Sequence, residues 1–104
     1  MEYTITVSIG RNVGDEPMST NVWRDFARAT ESAIDFVKTE YYVRNANGAG
    51  GWQDNPEDSK TWVFSMDTTK LSILEWRMSD LCDLFKQDAI AVTYGTTDLV
   101  TSRN

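Results

Sequence analysis

Tyr3-Thr4-Ile5-Thr6-Val7-Ser8-Ile9 alternates apolar and hydroxyl side chains without a break. A period of two puts Tyr3, Ile5, Val7 and Ile9 on one face of a strand and Thr4, Thr6 and Ser8 on the other. That is the pattern of a sheet with one face packed and one face open. The segment after the strand decides how the packed face is covered. Beyond a loop expected over Gly10–Pro17, with two glycines and a proline as punctuation, Ser19 is placed to cap a helix. Met18 and Trp23 then occupy the two positions of a hydrophobic staple. Val22, Trp23, Phe26, Ala27, Thr30, Ala33, Ile34 and Val37 share one side at helical spacing, with Arg24, Arg28, Glu31 and Asp35 opposite. The spacing predicts an amphipathic helix of about five turns.

The second half repeats this order. Glu40–Asn45 reads as a strand, with Tyr41 and Val43 facing one way and Glu40, Tyr42 and Arg44 the other; Thr61–Asp67 reads as the next, burying Trp62, Phe64 and Met66. Between them, 45–59 is rich in Gly, Asn and Asp and is expected to be a long loop. Leu71, Leu74, Met78, Leu81, Cys82 and Phe85 form the stripe of a second helix. Its start is open to two readings: a cap at Asp67 or Thr68, or the capping-box pattern Ser72-x-x-Glu75. Ala89–Tyr94 supplies a last main strand with Ile90, Val92 and Tyr94 inward, Asp98–Val100 a short edge strand, and Thr101–Asn104 a frayed end. The order β-α-β-β-α-β predicts an α+β, ferredoxin-like fold, with two helices on one face of a four-stranded antiparallel sheet. The open face is expected to carry Thr4, Thr6, Ser8, Tyr42, Arg44, Thr61, Val63, Ser65, Ala91 and Thr93. One domain over 1–104 is expected, without repeats or linkers.

Composition narrows the function more by exclusion than by indication. The 104 residues contain 40% hydrophobic and 12% aromatic side chains, enough for a single core. With no histidine, a His-based triad and a His-ligated metal or haem are excluded within one chain; with one cysteine, so are a zinc ribbon and an intramolecular disulfide. The net charge of −6 disfavours unspecific binding to nucleic acid or to an anionic membrane. No basic segment with an apolar run behind it is visible, nor any apolar run of membrane-spanning length. A cytoplasmic protein without cofactor or metal is expected.

Candidate contact residues come from three places. Gly10-Arg11-Asn12-Val13-Gly14, between strand and helix, has the position of a phosphate loop, with Arg11 as its cation. It lacks the Lys-Ser/Thr and the glycine spacing of such loops, and Asp15 and Glu16 stand beside it, so a plain turn is the favoured reading. In the 45–59 segment, Trp52 is followed by Asp54, Glu57 and Asp58. Three readings stay open there: a partner-binding anchor, an oxygen-ligand cation site, or a tryptophan folded onto the sheet edge beside solvated acids. Trp76 points away from the second helix's stripe, with Ile73 on its flank. It is either a partner surface or, if Ser72 is the cap, half of a staple with Leu71. Cys82 is expected to be inert core.

The chain resembles small uncharacterised proteins of bacteriophages and their bacterial hosts. The residues that carry this are Ile9-Gly10-Arg11-Asn12-Val13-Gly14-Asp15, Met18-Ser19 with Trp23 and Phe26, Gly51-Trp52, and Phe85-Lys86-Gln87-Asp88-Ala89-Ile90 leading into Thr93-Tyr94-Gly95. The resemblance implies an accessory intracellular protein and assigns no catalytic residue. Function is thereby narrowed to two expectations. The first is a non-enzymatic interaction protein that modulates a host or viral macromolecule, as monomer or homodimer, using Trp52, Asp54, Glu57, Asp58, Ile73, Trp76 and Arg11. The second is a homodimeric small-ligand-binding or cofactor-independent enzyme domain.

Overall fold

The computed structural model describes residues 2–52 and 55–95, and the side chains of these apart from 40–45, 49–52 and 55–56. The elements are β1 (Glu2–Gly10), β2 (Asn12–Val13), β3 (Glu16–Pro17), α1 (Thr20–Val37), β4 (Lys38–Trp52), β5 (Asn55–Asp67), a 3₁₀ turn (Thr68–Lys70), α2 (Leu71–Phe85) and β6 (Ala91–Gly95). The main sheet has the order β4-β5-β1-β6 with every pair antiparallel, the ferredoxin-like arrangement. Asp98–Val100 and Thr101–Asn104 lie outside the described residues.

The alternation in β1 does what its period requires. Ile5, Val7 and Ile9 are buried, and the register sets Ile5 opposite Phe64 and Val7 opposite Trp62. On the same side, Phe26, Ala33, Ile34 and Val37 of α1 and Leu74, Met78 and Leu81 of α2 complete the core. Each fully buried large apolar side chain contributes about 1.5–3 kcal/mol, so the space between sheet and helices is the main source of stability. Thr30 is buried among them and donates its hydroxyl to the Phe26 carbonyl (2.8 Å), which removes the cost of an unpaired polar group. Val22, expected on the buried side of α1, is exposed at the edge of the stripe, while its neighbour Trp23 packs against the core.

Ser19 caps α1, its Oγ accepting from the Val22 N–H at 3.3 Å. The second helix is entered through the 3₁₀ turn, and Asp67 caps that turn: its carboxylate accepts from the Thr69 N–H (2.9 Å) and from the Thr69 hydroxyl (2.8 Å), while α2 itself starts at Leu71 behind Lys70 with no side-chain cap. Ser72 lies inside α2, so the Leu71–Trp76 staple is not formed. The expected loop over 10–17 contains a miniature hairpin, Val13 opposite Glu16, turned by Gly14 at φ +60°.

The expected loop over 45–59 is corrected to a long hairpin. β4 and β5 pair continuously from Val43 opposite Phe64 to Trp52 opposite Asn55. β1 stops at Gly10, opposite Ser59, so the last rungs of this hairpin outrun the rest of the sheet. Glycine and asparagine disfavour strands locally, but the register already fixed by β1 and β5 carries through them. A shift in register lies between Lys38 and Val43, the stretch that contains Tyr42.

The open face is the even side of β1. Its rows run Thr4 beside Ser65, Thr6 between Val63 and Thr93, and Ser8 between Thr61 and Ala91. Arg44 stands opposite Val63 on the edge strand. Tyr94 belongs to the helix side, as expected, but is half exposed and stacks on Tyr3 with ring centroids 5.8 Å apart.

Candidate interaction surface

Among the described residues, the most exposed large apolar side chains are on the helix layer. Trp76 and Leu84 are each 70% exposed, Phe36 60% and Ile73 38%. At about 100° per residue, Ile73, Trp76, Arg77, Asp80 and Leu84 fall within an arc of about 100° on α2. The buried Leu74, Met78 and Leu81 occupy a separate arc centred about 120° away. The helix is therefore apolar on two faces, and only one is covered by its own sheet. Phe36 joins this surface from α1: the Arg77 guanidinium lies 4.1 Å from the centre of its ring, a cation–π contact that bridges the helices. Asp80 and Asp83, exposed beside Trp76, add negative charge to its rim.

Trp76 and Ile73 are legible in sequence as oddities of the helical wheel. Sequence reasoning misses Phe36 and Leu84, although each can be read the same way. Phe36 lies about 100° off the centre of the α1 stripe, and Leu84 about 110° off the centre of the α2 stripe.

The remaining candidates lie along the outer part of the hairpin and on the segment that follows β1. Arg11 donates through Nε to the Met18 carbonyl (2.8 Å) and through a terminal nitrogen to Asp58 (3.3 Å), while its backbone N–H reaches the Asp58 carbonyl (2.9 Å). Its guanidinium thus ties the β2–β3 excursion to β5. Glu57 accepts from the Asn12 N–H at 3.0 Å and packs over Gly10. Trp52 ends β4 opposite Asn55, and Asp54 lies outside the described residues. Arg11, Glu57 and Asp58 come together; Trp76 and Ile73 form a separate group on the helices.

Cys82 is half-buried, and burial first, then the neighbouring Asp83 charge, push its thiol above the ordinary value against an opposing hydrogen bond from Ile90. A thiol shifted in that direction is a poor nucleophile. Between sheet and helices, Trp62, Phe26, Phe64 and Leu74 fill the interior.

No family model matches this chain, and no curated protein matches it in sequence. Its fold is found among solved structures. It is similar to a phage SAM lyase in complex with S-methyl-5'-thioadenosine, with a TM-score of 0.59 and 17% identity over 91% of this chain and 81% of that one. It is also similar to a DUF3240 family protein from Shewanella baltica, with a TM-score of 0.59 and 11% identity over 98% of this chain and 97% of that one. At these identities the likeness shows the ferredoxin-like fold alone. No helix among the described residues is long and apolar enough to cross a membrane.

Proposed function

We infer that this chain is an interaction protein of phage type that acts in the cytoplasm, binding a host or viral macromolecule and modulating it. The observation that carries the reading is a tryptophan and a leucine, each 70% exposed, on the side of α2 turned away from the core. Large apolar groups clustered at a surface are favoured where a partner will cover them, and Trp is the residue most enriched at such hot spots. The acidic rim beside Trp76 favours a partner with basic groups at its own edge. The hairpin carrying Trp52, Asp54, Glu57 and Asp58 is a second, smaller contact on the same reading.

The test is native mass spectrometry of the tagged chain from lysate of its source host, with Trp76→Ala and Leu84→Ser beside the wild type. A stoichiometric macromolecule retained by the wild type and weakened at least about tenfold in both variants, at unchanged folding cooperativity, is the expected result. Equal retention by all three chains would remove the helix surface from the reading.

A second reading rests on a different observation, the likeness to a SAM lyase structure that holds S-methyl-5'-thioadenosine. On that reading the chain is a cofactor-independent enzyme acting on SAM. Because large side chains fill the sheet–helix interior, its ligand would be held at a surface or between copies. Incubating the purified chain with SAM and following S-methyl-5'-thioadenosine by liquid chromatography decides it. Product formed above the buffer rate establishes the enzymatic reading; none leaves the interaction reading in place.

A further inference from the structure

We propose that the open face of the main sheet is covered in solution by the same face of a second copy of this chain. The inference goes beyond the helix-surface reading and does not depend on it. Its starting point is how charge is distributed. The chain has 25% charged residues and a net charge of −6, yet every described side chain on the central rows of this face is a hydroxyl or a small apolar group. Thr6, flanked by Val63 and Thr93, is at the middle of it, and Val63 is 36% exposed. Among the described side chains, charges come at the two ends of the face: Glu2 opposite Asp67 at one, and Glu57 folded onto Gly10 at the other; Arg44 lies outside the central strands, opposite Val63 on the edge strand. An uncharged centre with a charged rim is the anatomy of an interface.

The same distribution identifies the occupant. In a two-fold pair each group near the axis meets its own copy, so a charge there would face an identical charge. A different protein can answer a charge with its opposite; a second copy of an acidic chain cannot. A centre free of charge is therefore what self-contact requires, and it lets two chains of net charge −6 approach along the surface where repulsion is least. The small, flat side chains also suit sheet packing at about 10 Å. The area is sufficient for a modest interface. Strands about 4.8 Å apart, rising about 3.3 Å per residue, give this face roughly 500 Å², and two such faces bury roughly 1,000 Å², the lower range for a specific contact.

Sedimentation of the full chain from about 1 to about 200 μM tests this directly. The expected species at the upper end is twice 11.8 kDa. Thr6→Arg and Val63→Glu should each weaken self-association at least about tenfold by setting like charges together. Mixing the two variants should restore it, since Arg on one copy then meets Glu on the other. Trp76→Ala, on the opposite layer, should assemble as the wild type does. Cooperative thermal unfolding of each variant separates lost contact from lost fold, and Thr93→Arg on the edge strand replaces Thr6→Arg if the latter does not fold. A wild-type chain that stays monomeric, an arginine variant that assembles undiminished, or a mixture that does not recover would each overturn the proposal.

Discussion

Gly10 is required by a neighbour. A Cβ there would overlap the Glu57 carboxylate, which the Asn12 N–H holds in place. Gly10→Ala should therefore cost about 1 kcal/mol through loss of that hydrogen bond, while in a Glu57→Ala background the same change should cost almost nothing. Urea denaturation of the four chains measures the coupling; equal costs in both backgrounds would refute it. Trp62 poses the opposite problem. It is fully buried, with Lys60 Nζ 5.4 Å from its ring, and its indole N–H finds no acceptor among the described residues. Trp62→Phe removes an unsatisfied donor while leaving most of the ring volume, so the two effects offset to within about 1.5 kcal/mol. Trp62→Ala should cost about 3–5 kcal/mol. If the phenylalanine variant proves as damaging as the alanine one, the N–H has a partner after all. From sequence, Trp62 is readable as core because its strand alternates; the Gly10–Glu57 contact is not, because it joins residues brought together only by sheet register.

At the scale of elements, ends differ in how well they are made. α2 stops at Lys86, a non-glycine residue in the left-handed region at φ 57°, ψ 44°, and the Gln87 N–H closes on the Cys82 carbonyl at 2.9 Å. Lys86→Gly should stabilise the chain by about 0.5–1 kcal/mol, because glycine adopts this conformation without the Cβ clash. A lower denaturation midpoint would contradict it. At the other end, the Thr69 backbone N–H, and after it the Thr69 hydroxyl, hold the Asp67 carboxyl below 3.8. A depressed folded-state pKa contributes stability that is present above the unfolded value and is lost as pH falls through the folded one. The contribution of Asp67 should therefore fall away progressively as pH drops below about 4, and Asp67→Asn should show a shallower loss of stability there than the wild type. Identical pH profiles would remove the cap from the account. Both helices and the core strands are legible in sequence, since a stripe at helical spacing and an alternation of two are direct consequences of one-sided burial. The hairpin is not. Its Asn47-Gly48 and Gly50-Gly51 steps carry no apolar alternation, and their pairing comes from a register set by residues far off in sequence.

The molecule presents two unlike faces, a helix layer with exposed Trp76 and Leu84 and a sheet layer whose described central side chains carry no charge. If the sheet layers pair, two helix surfaces point outward on opposite sides, and a partner with repeated sites would be held at both. Among the described residues, the hairpin meets this body through Arg11 to Asp58, Asn12 to Glu57, and backbone pairing past the end of β1. The described core lies on β1, α1, α2 and the part of β5 from Trp62 onward, with Met18 just ahead of α1. Replacing residues 49–58 by a two-residue Asn-Gly turn should therefore leave a chain that unfolds in one cooperative step. It should lose about 1–2 kcal/mol, the sum of one exposed ion pair and one or two hydrogen bonds. Circular dichroism melts would reveal a larger loss or a broadened transition, either of which would show that the hairpin belongs to the folding unit. The same shortened chain divides the two candidate contacts. Partner retention that survives the replacement but fails in Trp76→Ala places binding on the helix layer, whereas the reverse outcome moves it to Trp52 and its acidic neighbours.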